Sequence, residues 1–201
     1  MKLTNFLDPH RIHAGASGVG TAATQLATET GCRVFVTAGT EEKIAKCKEL
    51  GAAGGANYKT EEWDIKIKEL AGDRGVNVVL DCIGSSYWKQ NANILSQDGR
   101  WTLYGLMGGP TVDGPLLSMM LRKRLRLEAT TLKSRSKEYK KDLTRRFADH
   151  ALELFNHGRY QVILDNKSFL LEEAQESHDY METNSSIGKI ILRVTKEDDN
   201  E

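Results

Sequence analysis

A chain of 201 residues with 28 lysines plus arginines against 28 aspartates plus glutamates carries no charge excess for nucleic acid or an anionic membrane surface. It is long enough to bury one full core, and no apolar stretch approaches the ~18 residues of a membrane span. Cys32, Cys47 and Cys82 are odd in number without paired spacing, and no apolar signal core opens the chain, so a reducing cytoplasmic setting is expected.

The first predicted unit is His13-Ala-Gly-Ala-Ser-Gly-Val-Gly20 followed by Thr21-Ala-Ala-Thr-Gln-Leu-Ala27, read as a strand, a tight turn and a helix N-terminus. Gly15, Gly18 and Gly20 permit close backbone approach, and the free N-H groups and positive dipole end of the helix favour phosphate. In the G-x-G-x-x-G frame the triplet is Gly15, Ser17 and Gly20, with serine in place of the middle glycine. An ordinary glycine turn is the competing reading. Before the turn, Asp8-Pro-His-Arg-Ile12 puts a proline and two charges where a central strand is expected, which weakens it.

Cys32 to Ala38 reads as the second strand and Glu41 to Leu50 as a helix closed by Gly51. An NAD site needs a carboxylate at the end of this strand for the ribose hydroxyls. Ala38-Gly39-Thr40 supplies none, and Lys43 follows in the first helical turn, where a cation opposes the dipole unless an anion is near. The pattern fits an NADP pocket; the alternative is a solvated Lys43 paired with acidic neighbours. Trp63, Ile67 and Leu70 mark a helix before Gly72, Val76 to Ile83 a buried parallel strand, Trp88, Ala92 and Leu95 the next helix, and Arg100 to Gly105 the fifth strand. Pro115 to Arg124 reads as a short helix whose basic end, Arg122 to Arg126, is solvated, and Arg126 to Leu132 as a strand. Lys137 to His157 reads as a long helix with Leu143, Phe147, Leu152 and Phe155 apolar, stopped by Gly158. Tyr160 to Asp165, Leu171 to Met181 and Lys189 to Val194 are a strand, a helix and a strand, and Lys196 to Glu201 a disordered acidic tail. His10, His13, His150, His157 and His178 are scattered, so no metal site is expected. Cys82 is best read as a small buried hydrophobe.

These residues, with Leu80-Asp-Cys-Ile-Gly84, Leu103-Tyr-Gly-Leu-Met-Gly-Gly109 and Asn184-Ser-Ser-Ile-Gly-Lys-Ile190, resemble the zinc-independent quinone oxidoreductase branch of the medium-chain dehydrogenase/reductase superfamily over nearly the whole chain. The resemblance implies an α/β fold, a Rossmann-like doubly wound parallel sheet over 12–158, with a C-terminal remnant of the GroES-like catalytic domain over 159–194. Residues 1–11 do not resemble the family, and against the family's pattern the N-terminal catalytic domain is expected to be missing from this sequence. It implies NADPH as cofactor, with Gly39, Lys43 and Tyr58 clasping the 2'-phosphate and Gly15, Ser17, Gly18, Val19 and Gly20 forming the pyrophosphate turn. Cys82, Ile83 and Gly84, with Gly105, Leu106 and Met107, line the nicotinamide end. It further implies a quinone substrate and a homodimer formed through the strand near 126–132.

No residue of this chain is assigned a catalytic role, because the family's candidate tyrosine and asparagine lie in the missing domain. Two functional readings follow. One is NADPH-dependent hydride transfer to a quinone or similar conjugated carbonyl; the other is a truncated or spliced fragment that binds NADPH or dimerises with little catalysis. The fragment reading predicts that Val162, Ile163, Ile190 and Leu192 leave apolar surface exposed. Other Rossmann-like classes fit poorly: no acid follows the second strand for a methyltransferase, and no tyrosine has the lysine four places on that short-chain dehydrogenases use.

Overall fold

The computed structural model describes residues 10–194. The N-terminal segment through Pro9, with Asp8 and Pro9 of the expected weak strand, and the acidic tail 195–201 lie outside the described residues. Six parallel strands form the sheet: β1 (His10–Ile12), β2 (Val34–Ala38), β3 (Gly54–Asn57), β4 (Val76–Asp81), β5 (Leu95–Leu103) and β6 (Arg126–Ala129), in the order β3-β2-β1-β4-β5-β6. That reversal about β1 is the doubly wound topology, and it opens a crevice at the carboxyl ends of β1 and β4.

The covering helices have identifiable local causes. Helix α1 (Gly18–Glu29) starts where the Ser17 hydroxyl accepts from Gly20 N. Helix α2 (Glu41–Glu49) starts where Thr40 accepts from Lys43 N, with Glu41 and Glu42 in its first turn and Lys46 and Lys48 in its last, as the macrodipole favours. Helices α3 (Trp63–Ala71), α4 (Trp88–Ile94) and α5 (Leu116–Lys123) follow. One core layer gathers Phe35, Trp63, Ile67, Val79, Leu95 and Trp101; the other gathers Ile12, Val34, Val36 and Cys47. β2 is buried along its whole length, as a strand covered on both faces must be.

Several boundaries differ from the expectation. β1 forms despite the charge of Arg11, with three residues among those described, and Arg11 is wholly buried. Its guanidinium stacks 3.5 Å above the Trp63 ring centroid and donates to His13 Nδ1 at 3.2 Å, while Nε and Nη1 have no partner. β5 begins at Leu95, not Arg100, through a register shift against β4 between Val76 and Val78. β6 stops at Ala129. The basic helix end is not simply solvated, because Lys123 Nζ donates to the carbonyls of Ala92, Asn93 and Leu95 at 2.7–2.8 Å and caps α4.

Helix α6 (Lys137–Asn156) carries its expected apolar positions largely outward, and Ala151 is its only buried residue among those described. The strand expected at Tyr160 to Asp165 lies instead at β7 (Leu164–Leu170), because pairing with β8 (Lys189–Arg193) decides its place. Tyr160 is a buried plug whose ring meets Phe155 at 5.6 Å. Helix α7 (Ala174–Glu182) connects the two strands. Of the four apolar residues expected to be exposed, Val162 is 70% exposed but Ile163 is buried at 9%.

Candidate functional site

The crevice is a cavity of about 630 Å³ whose lining includes Ser17, Gly18, Gly39, Lys43, Tyr58, Ile83 and Met107. Those seven are the expected site residues that face it. Most of the others pack behind it. A Cβ on Gly20 would run into the backbone carbonyls of Ala14 and Gly15, and one on Gly15 would come 2.6 Å from Val36 Cβ, so both glycines let the turn close on the sheet. Val19 and Leu106 are exposed at 52% and 50% and lie outside the lining. Cys82 is buried and its thiol is pushed up by that burial, which keeps it a neutral small group. Gly105 packs against Cys82, where a Cβ would lie 2.9 Å from its carbonyl oxygen. Gly84 adopts φ +82 as the chain turns out of β4.

The loops after β4 and β5 are laced together. Met107 N donates to Cys82 O at 3.0 Å, Gly108 N to Ile83 O at 2.6 Å, and Ser85 N to Gly109 O at 3.0 Å. Asp81 anchors them from below: its Oδ1 accepts from Ile83 N at 2.7 Å and Gly84 N at 3.1 Å, and its Oδ2 from Trp101 Nε1 at 2.9 Å and Asn91 Nδ2 at 3.1 Å. Since the Asn91 amide nitrogen serves Asp81, its oxygen accepts from His13 Nε2 at 2.7 Å, and His13 Nδ1 is left to accept from Arg11 and from the Thr37 hydroxyl. His13 is therefore neutral, and burial first, then Arg11, hold its pKa well below the usual imidazole range. Burial raises the Asp81 carboxyl, and its N-H donors oppose that rise.

At the other end Lys43, Tyr58 and the residues after β2 come together with a segment that sequence reasoning left without a site role. Lys43 Nζ donates to Asn184 O at 2.7 Å, and Asn184 Nδ2 donates to the Tyr58 hydroxyl at 2.9 Å. Burial, and then nearby Lys59, lower the Lys43 pKa. Gly188 N donates to Ala16 O at 2.8 Å, beside the turn, and the Lys189 stem lies across Gly18. Asn184, Gly188 and Lys189 all line the cavity. The signal for them was the motif Asn184 to Ile190 itself; what it lacked was a direction for the chain to fold.

The topology, the glycine turn at a helix N-terminus and the acid-free end of β2 define a dinucleotide-type α/β domain. Residues 18–149 match the zinc-binding dehydrogenase family, and the chain belongs to that family. Its relatives include the quinone oxidoreductase of Salmonella typhimurium, 27% identical over 92% of this chain and 56% of that protein. Quinone oxidoreductase 1 of Escherichia coli is 28% identical over 90% and 55%. Among solved structures, Escherichia coli quinone oxidoreductase complexed with NADPH superposes with a TM-score of 0.77 at 26% identity, covering 92% of this chain and 57% of that one. The mycobacterial protein Rv1454c complexed with NADPH gives 0.77 at 28% identity, covering 92% and 56%. The chain thus spans about half the length of the relatives it matches. The family description names zinc, but among the described residues no three His, Cys, Asp or Glu side chains gather to hold an ion, so the residues present do not fit one. No described helix is long and apolar enough to cross a membrane.

Proposed function

We propose that the crevice holds NADPH and that this chain is the cofactor-binding half of a cytoplasmic quinone oxidoreductase, with 12–158 as the nucleotide-binding unit and 159–194 as the return toward a catalytic domain. The observation that carries the reading is the end of β2. Gly39 and Thr40 bring no carboxylate to the ribose, while Lys43 and Tyr58 converge on the same space. A 2'-phosphate meets the Lys43 ammonium and a hydroxyl there and no carboxylate at the strand end, and Glu42 and Asp165, which act on Lys43 through space, do not line the cavity. The relatives named as quinone oxidoreductases, and those solved with NADPH, support the same choice.

When bound, the nicotinamide supplies a hydride for a quinone or similar conjugated carbonyl. The residues of this chain bind and orient. The N-terminus of α1 would present the Gly18 N-H and the positive end of its dipole to the pyrophosphate, the Ser17 N-H being taken by Ala14 O at 2.9 Å, and Lys43 and Tyr58 would take the 2'-phosphate. The laced loops 82–84 and 105–109, braced by Asp81, wall the nicotinamide end.

Calorimetric titration with NADPH and NADH tests the reading: NADPH binds much more tightly, and Lys43→Ala with Tyr58→Phe abolishes the difference. Equal affinities would sink it.

A second reading, a binding or dimerising fragment with little catalysis, is favoured by the half-length match to the relatives. NADPH-dependent quinone turnover by the isolated chain separates the two. The homodimer is part of both. β6 is an edge strand exposed throughout, and Leu117 and Leu121 of α5, the helix that precedes it in the chain, are exposed at 80% and 81%, apolar surface that a second copy would cover.

A further inference from the structure

One wall of the crevice comes from outside the six-stranded sheet. It is the strap between α7 and β8, which meets the site at Asn184 and at Gly188. Asn184 holds a left-handed φ of 54 and Gly188 one of 74, so the strap takes a path that ordinary residues resist. Something must hold it there. Half-buried Asp165, the second residue of β7, lies beneath it. Its Oδ2 accepts from Ile187 N at 2.7 Å, and its Oδ1 accepts from Lys167 N at 2.9 Å and from the Tyr180 hydroxyl of α7 at 3.1 Å. One carboxylate therefore ties β7, α7 and the strap together.

Resting on the reading of the crevice as an NADPH site, we propose that Asp165 is a positioning residue for recognition of the 2'-phosphate. It fixes Ile187, and through the strap it fixes Asn184, which orients Lys43 and Tyr58. Lys43 has three N-H donors. The Asn184 carbonyl takes one at 2.7 Å, with the Asn184 side-chain oxygen at 3.4 Å, so donor capacity remains for an anion. Without the strap that ammonium has no anchor and swings toward solvent, and Tyr58 loses the amide that orients its hydroxyl. The pyrophosphate turn also meets the strap, through Gly188 N to Ala16 O, but it has its own ties in Ser17 N to Ala14 O and Gly15 N to Thr37 O, each at 2.9 Å, and is less affected. The carboxylate thus acts on cofactor choice more than on nucleotide binding as such.

Dissociation constants of the full chain for NADPH and NADH, measured for wild type, Asp165→Asn and Tyr180→Phe, test this. In Asp165→Asn the preference for NADPH over NADH should fall about tenfold, the size expected when a charge-assisted hydrogen bond holding a binding group is lost. Tyr180→Phe leaves the Ile187 contact in place and should keep the preference. A role confined to stability would lower the melting temperature of Asp165→Asn and leave the ratio of the two constants alone, and that result overturns the proposal. Wild type with no preference for NADPH overturns the reading of the crevice and this inference with it. If Asp165→Asn does not fold, exchange of the Ile187 amide in wild type decides: NADPH must slow it more than NADH does, and equal slowing refutes the proposal.

Discussion

Arg11→Leu tests the account of the core most directly, since it replaces a wholly buried guanidinium in the central strand of the sheet with a side chain that strand would ordinarily carry. Nε and Nη1 are buried without partners, and each orphaned donor costs about 1–3 kcal/mol. Against this, leucine forfeits the stack on Trp63, about 2 kcal/mol when desolvated, and the hydrogen bond to His13, about 1 kcal/mol. Leucine in turn contributes about 2 kcal/mol of apolar burial. The balance is a stabilisation of about 3 kcal/mol, within a range of about 1–5, which raises the melting temperature of a chain this size by about 6–12 °C. His13 Nδ1 keeps the Thr37 hydroxyl as donor, so the network above should survive. Urea titration at constant m-value, with thermal unfolding alongside, measures the change. A variant less stable than wild type would show that the stack and the His13 bond outweigh the orphaned donors, and the reasoning would fail.

Because His13 titrates below its ordinary value of 6.5 when folded, the unfolded chain binds the extra proton first. Stability is therefore full above about pH 6.5 and falls as pH drops below it, by up to about 1.4 kcal/mol per pH unit. His13→Gln should remove that part of the slope in urea midpoints measured from pH 7.5 to 5. Gly20→Ala places a Cβ against the carbonyls of Ala14 and Gly15 and is expected to cost about 2–3 kcal/mol of stability by strain and to weaken nucleotide binding; calorimetry and melting together check it. Leu121→Glu, on the exposed side of α5, should shift a dimer to monomer in sedimentation equilibrium while leaving the unfolding free energy of the monomer within about 0.5 kcal/mol of wild type.

Much of the sheet was legible because its strands are apolar runs that only a doubly covered parallel sheet accommodates, β2 and β4 above all. The crevice was legible at Ser17, Gly18, Gly39 and Lys43 because helix N-termini and missing acids are local facts. β7 was not, since Leu-Asp-Asn-Lys-Ser-Phe-Leu has little strand character of its own and becomes a strand by pairing with β8. The burial of Arg11 and His13 was hidden for the same reason: polar residues in a strand read as exposure until Trp63, Asn91 and Thr37 are placed around them. Asn184 sits 141 residues from Lys43, a distance across which periodicity carries nothing.

The three residues of β1 have a mechanical meaning. Among the described residues they join β2 to β4, continued by His13 N to Leu80 O and Gly15 N to Thr37 O, and so they form a narrow seam between two half-sheets. Lys43 and Tyr58 stand on one side of that seam, and the loops after β4 and β5 on the other. A dinucleotide lying along the crevice would span it like a staple, resisting the separation that so narrow a join leaves easiest. Protection from proteolysis by the nucleotide should accordingly spread through both half-sheets at once.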